Sequence, residues 1–133
     1  MKPFLIHIHL FYPELWWCVK RYLLNLMTYP CRVYITQVED HPDIQEDIEA
    51  MGLNATLINV VNRGYDVAPF LEVLKRVQLD DFSYVIKMHT KRHIPRRMWL
   101  QGIEVTGAGW RDYMYECLTS TNIARWLTEF ENK

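Results

Sequence analysis

The alternation of short apolar runs with helical periods predicts an α/β chain: a Rossmann-like, mostly parallel sheet with helices on both faces. Three observations carry this. The element order reads βαβαβαβ followed by helices. The helices between strands are about a dozen residues long, which suits right-handed crossovers. Strands such as INVV and YVIKM are apolar almost throughout, as strands are when a sheet is covered on both sides.

Phe4 to Phe11 is the first strand. Pro13 then stands where a helix can begin, because its missing N–H would be an orphan there anyway. Leu15, Val19, Tyr22, Leu23 and Leu26 follow at helical spacing until Pro30. Arg32 to Val38 is a second strand. Asp40 and Pro42 open a second helix, with Ile44, Ile48 and Met51 on one face and Gly52 at its end. Ala55 to Val61 is a third strand, broken by Asn62-Arg63-Gly64. Asp66 to Val77 is a third helix, with Phe70, Leu71, Leu74 and Val77 as the expected buried stripe. Tyr84 to Met88 is the fourth strand. Lys91 to Gly109 is polar, basic and glycine-spotted, and reads as a loop. Trp110 to Leu118 and Asn122 to Phe130 are helical, the latter capped by Ser120 or Thr121 with Ile123, Trp126, Leu127 and Phe130 inward.

The 133 residues are half hydrophobic and 14% aromatic, enough for a real core and incompatible with a disordered tail. One domain over residues 1–133 is expected, complete or as a piece of a longer protein. A net charge of -1 argues against bulk binding to nucleic acid or anionic membrane. Charge is nevertheless uneven: six acids and no base lie between Glu39 and Glu49, and five bases and no acid between Phe82 and Ile103. The three cysteines form no C-x-x-C pair and suit a reducing compartment. No signal peptide is evident, and no run approaches the roughly 20 apolar residues of a membrane span.

In open parallel sheets ligands bind beyond the carboxyl ends of the strands, at a switch in strand order. Four segments qualify: His9, Tyr12, Pro13 and Glu14; Gln37, Glu39 and Asp40; Asn62, Arg63, Gly64, Tyr65 and Asp66; and His89, Thr90, Lys91 and Arg92. Asn-Arg-Gly supplies a residue tolerant of positive φ in Asn62, a cation and an unhindered backbone, a turn that can aim N–H groups at an anion. Asp66 caps the following helix, or else Asp66 or Asn62 bonds a ribose or sugar hydroxyl. Arg92 and Lys91 either neutralise a diphosphate or form a solvated basic loop. His7 and His9 share a strand face, and a doubly wound order brings His89 beside them. A metal site there lacks a helical His pair and an acidic ligand set, so the simpler expectation is that at least one histidine packs under a helix and is satisfied by a hydrogen bond. Trp16 and Trp17 cannot both face the core. The patterns of dehydrogenases, P-loop NTPases, α/β-hydrolases and zincins are absent.

Three stretches, HIHLFYPEL, NRGYDVAPFL and YVIKMHTKRH, followed by GWRDYM and LTEF, together resemble the rhamnan synthesis protein F family over nearly the whole chain. The resemblance implies a bacterial protein building rhamnose-containing cell-wall or lipopolysaccharide chains. It also implies a fold like that of nucleotide-diphospho-sugar transferases (the GT-A type), moving a sugar from a nucleotide-sugar donor to a glycan acceptor. The expected donor-binding residues are His9, Tyr12, Glu39, Asp40, Asn62, Arg63, Gly64, Asp66, His89, Thr90, Lys91 and Arg92, with Glu39 or Asp40 at the base. The sequence departs from that fold where Asp-x-Asp would chelate a divalent metal, since the position reads His89-Thr90-Lys91. No metal or other cofactor is therefore expected, and cations would replace the metal's charge. No catalytic base is assigned. The alternative is a non-catalytic nucleotide-sugar or glycan-binding module associated with a larger biosynthetic protein. Either role implies a cytoplasmic location, including a peripheral one at the inner face of the membrane.

Overall fold

A computed structural model describes residues 1–90, 112 and 114–132, and the backbone of 98–100 and 103–105. Strand β1 (Phe4–Leu10) leads through a 3-10 turn (Pro13–Leu15) into α1 (Trp16–Leu26). Next come β2 (Cys31–Gln37), α2 (Pro42–Ala50), β3 (Ala55–Asn59), α3 (Val67–Leu74) and β4 (Tyr84–His89). The final helix, here α4, spans Ser120–Glu131.

The four strands form one parallel sheet in the order β3-β2-β1-β4. The chain therefore steps outward from β1 to β3 and then returns to the other side of β1. This places a topological switch point between β1 and β4. Their register pairs His7 with Lys87 and His9 with His89.

Strand period two sorts the core into two layers. Phe4, Ile6, Ile8 and Leu10 join Val33, Ile35 and Met88 beneath α1, α2 and α4, whose Trp16, Val19, Leu23, Leu26, Ile44, Ile48, Ile123 and Leu127 complete that cluster. Leu5, Ile58, Val73 and Phe82 form a smaller cluster on the opposite face, with α3 over it. Trp16 is fully buried and donates its indole N–H to Asp47 Oδ2 at 2.8 Å, whereas Trp17 is exposed.

Several expectations are corrected. In α3 the buried residues are Pro69 and Val73, and Leu71 is exposed. This segment is apolar nearly all round, so its inward face depends on how the preceding turn rotates the helix. The cap of α4 is Thr119, whose hydroxyl accepts from the Asn122 N–H, not Ser120 or Thr121. Phe130 is more exposed than expected, although its ring stacks on Tyr84. The stretch read as a loop holds an antiparallel hairpin, β5 (Met98–Leu100) with β6 (Ile103–Val105). Within the expected helix from Trp110 to Leu118, the residues Glu116–Leu118 form a 3-10 turn. Among the described residues no helix is long and apolar enough to cross a membrane.

Candidate functional site at the switch between β1 and β4

On the face beneath α3, the carboxyl-terminal half of the sheet carries a polar row where apolar residues would be usual. Odd positions of β1 place His7 and His9 there, and the register sets Thr36 of β2 on one side and Lys87 and His89 of β4 on the other. His7, His9 and Thr36 are buried. The Thr36 hydroxyl lies 2.8 Å from His7 Nε2 and 2.9 Å from His9 Nδ1. The His7 ring stacks on Phe70 of α3, with centroids 5.5 Å apart. The expectation that a histidine packs under a helix and is satisfied by a hydrogen bond thus describes His7, apart from its Nδ1, which is sealed and unpartnered.

Asp66 joins this row from the turn after β3. It stands at the N-cap position of α3, but its side chain does not cap the helix. Its carboxylate instead accepts from the Lys87 ammonium and lies 3.6 Å from His89 Nδ1. Capping is therefore corrected: a cation within reach offers a stronger partner than a backbone N–H. The Lys87 hydrogen bond holds Asp66 below the usual carboxylate range. Burial, then the Lys87 charge and His9, push His7 down to about 3. Burial also lowers His9, against the pull of Asp66. At neutral pH the Asp66–Lys87 ion pair thus stands beside neutral His7 and His9.

Thr90 is buried, and its hydroxyl accepts from the backbone N–H of Phe11 at 3.1 Å and of Tyr12 at 2.9 Å. Its own N–H donates to the His9 carbonyl. Thr90 thereby fixes the bend after β1, and the half-buried Tyr12 packs edge-on against Phe11. On the outer edge of β4, the Tyr115 hydroxyl accepts from the His89 N–H at 3.2 Å and donates to the His89 carbonyl.

The remaining expected residues are spread along the rim. Asp40 accepts from Asn59 Nδ2 at 2.9 Å and from Gln37 Nε2 at 3.4 Å, and Gln37 also donates to Asn59. Glu39, Asn62 and Arg63 are exposed. The left-handed positions of the turn are Gly64 (φ 73°) and Tyr65 (φ 53°), not Asn62. A Cβ on Gly64 would come within 2.6 Å of the Ala68 Cβ, so only glycine permits this tight entry to α3. Lys91 and Arg92 lie outside the described residues. The turn after β3 therefore meets the end of β4 through Asp66, not through Arg63. Lys87, Thr36 and His7 were absent from the expected set, although period two from His89 reaches Lys87 and strand pairing reaches Thr36.

A divalent metal would find one carboxylate here, already paired with an ammonium, beside imidazoles. Among the described residues no three His, Cys, Asp or Glu side chains are grouped to hold one.

Two curated relatives match. Each is an uncharacterized protein WxcX of Xanthomonas campestris pv. campestris, from different strains, and is 30% identical over 90 residues. The match covers 67% of this chain and 12% of each relative's length, so it concerns a small part of each. No solved structure gives a significant match. The family model described as rhamnan synthesis protein F, a name that denotes polysaccharide biosynthesis, matches residues 2–133. With essentially the whole length aligned, and with the motifs of the β1, β3 and β4 ends inside it, the chain belongs to the rhamnan synthesis protein F family.

Proposed function

We propose that this chain is a glycosyltransferase-like domain of cell-surface polysaccharide biosynthesis that binds a nucleotide-sugar donor at the carboxyl edge of its sheet, without a carboxylate-held metal. One observation carries the reading. At the switch point between β1 and β4, Asp66 from the turn after β3 reaches Lys87 and His89, beside His9. Hydrogen-bond donors and an acceptor thus meet where open parallel sheets take their ligands. The family name supports the polysaccharide context. In this reading the switch point between β1 and β4 takes the sugar, Asn62 and Arg63 lie along the donor, and Lys91 and Arg92 supply charge for the diphosphate in place of Asp-x-Asp. The parallel sheet with helices on both faces suits a GT-A-type arrangement.

A second reading, a non-catalytic nucleotide-sugar or glycan-binding module serving a larger protein, draws on a specific feature. Asp66 is tied to Lys87, which makes it a poor base for an acceptor hydroxyl. Thermal unfolding with a panel of nucleoside-diphosphate sugars, with Mg²⁺ or with EDTA, tests the proposal. A donor at a hundredfold excess over its Kd stabilises the native state by about 2.7 kcal/mol. That gain should persist in EDTA and fall in Asp66→Asn and Arg63→Ala. No response to any donor overturns the proposal. Donor binding without transfer or hydrolysis favours the second reading.

A further inference from the structure

Tyr65 stands at φ 53°, directly after Gly64 at φ 73°, in the turn between β3 and α3. The left-handed region suits glycine and, among other residues, asparagine; for a bulky side chain it is an outlier that lowers stability. Contacts made by the side chain can offset such a cost. Tyr65 is 91% exposed, and among the described residues its ring makes no hydrogen bond, ring contact or cation contact.

The backbone on either side explains the conformation. Before Tyr65, the Gly64 carbonyl accepts from the N–H groups of Val67 at 3.1 Å and Ala68 at 3.3 Å, and Gly64 packs too closely on Ala68 to admit a Cβ. After it, Asp66 is drawn across to the Lys87 ammonium at the switch point. Tyr65 lies between these two anchors, which impose its φ. Strained residues persist where their surroundings over-determine them, and they cluster at ligand clamps and active sites. The anchors need the backbone of residue 65 and not its ring. Glycine or asparagine would meet the same demand at less cost. The fold therefore does not account for the tyrosine side chain. Val61, Val67 and Leu71 are exposed nearby, but they carry no such backbone cost, and much of any folded surface is apolar.

What the ring can do follows from where the turn holds it. Its neighbour in the chain, Asp66, reaches Lys87 and His89 at the end of β4, and Asn62 and Arg63 of the same turn are exposed. An aromatic face beside an amide and a guanidinium suits a sugar. The C–H bonds on one side of a pyranose carry slight positive charge and lie against the negative ring face, while the polar side chains answer the hydroxyls. A diphosphate would use Arg63 but gain nothing from the ring face, whose quadrupole repels anions.

We propose that Tyr65 is a ligand-contact residue, presented by a pinned and strained turn, whose ring face takes the apolar face of the sugar in the bound donor. The choice of ligand rests on the donor-binding reading above; the surplus of this side chain in the fold does not.

Tyr65→Gly, Tyr65→Asn and Tyr65→Phe in the full chain test both parts. Without ligand, the first two should unfold at the wild-type temperature or a few degrees above it. A lower midpoint in both would mean that the ring supports the fold, and would overturn the inference whatever ligand binds. With a nucleoside-diphosphate sugar, loss of the ring should weaken binding about three- to tenfold in Tyr65→Gly and Tyr65→Asn, and Tyr65→Phe should bind like wild type. A loss in Tyr65→Phe as large as in Tyr65→Gly would assign the contact to the hydroxyl and overturn the stacking. The matching nucleoside diphosphate without a sugar should bind all four proteins alike. Equal weakening for both compounds would place the ring on the base or the diphosphate and overturn the sugar assignment. A donor that binds wild type and every variant equally refutes this inference and spares the donor-binding reading. A donor panel without effect on wild type overturns that reading and the sugar assignment with it.

Discussion

Acid should weaken this protein before its carboxylates titrate, because His7 cannot accept a proton without leaving the core. Its ordinary value is 6.5 and its folded value about 3. Between these values the unfolded chain binds a proton that the native chain refuses. Stability is therefore complete above the unfolded value and is lost as pH falls toward the folded one. Each such group contributes a slope of about 1.4 kcal/mol per pH unit, so acidification from 6.5 to about 4.5 removes about 2.7 kcal/mol through His7 alone. Burial lowers His9 as well, which adds to the loss with the same sign. Asp66 and Asp47 are held below their ordinary value of 3.8, so their losses come later on the acid side. Against a domain stability of roughly 5–15 kcal/mol, the histidine loss is large. Urea midpoints measured in half-unit steps of pH would show it. His7→Leu should remove the larger part of the slope while changing stability little at neutral pH, because it also deletes an unpartnered buried nitrogen. A flat profile above pH 4.5, or a slope undiminished in His7→Leu, would refute the reasoning.

Three further outcomes follow from single contacts. Thr90→Val keeps the shape of the side chain but removes the acceptor for two backbone N–H groups, and should cost about 2 kcal/mol in urea denaturation, with Thr90→Ser close to wild type. Gly64→Ala meets the Ala68 Cβ at 2.6 Å as well as an unfavourable φ, whereas Gly52→Ala has open space and only the φ penalty. The first should lose about 2–3 kcal/mol and the second about 1 kcal/mol, read from thermal midpoints. Lys87→Met leaves Asp66 without its cation; because both side chains keep over a quarter of their exposure, the loss near neutral pH should be only about 1 kcal/mol. The stability from that pair is present above the unfolded carboxylate value and vanishes as pH falls through the lower folded one. Variant and wild type should therefore converge in acid.

Much of the architecture was legible because parallel sheets obey period two and right-handed crossover. Those rules place His7 and His9 on one face and β4 beside β1, which brings His89 alongside. What escaped was phase and partnership. The α3 segment is apolar on nearly every side, so no periodicity says that Val73 faces in and Leu71 out. Lys87 was hidden inside a strand read as uniformly apolar. Counted only as one base of the run from Phe82 to Ile103, Lys87 was given no partner, and Asp66 had no visible competitor to capping. Thr36 and Thr90 look alike in sequence, one buried hydroxyl near each strand end, and only the fold separates a bridge between two histidines from an anchor for a backbone bend. The hairpin strands, Met98–Leu100 and Ile103–Val105, are too short to show a period.

The two faces of β1 show why the polar row points to ligand binding more than to folding. Even positions run Phe4, Ile6, Ile8 and Leu10, apolar from end to end. Odd positions begin with Leu5 in the small cluster under α3 and then turn to His7 and His9 toward the carboxyl end. Burying imidazoles and a hydroxyl in place of aliphatic side chains weakens a core unless every polar atom is satisfied, and His7 Nδ1 is not. An apolar replacement on that face should hold the sheet at least as well. A protein that keeps the costlier arrangement only at the strand ends, beside an ion pair formed across a crossover, keeps it where open α/β sheets meet their ligands.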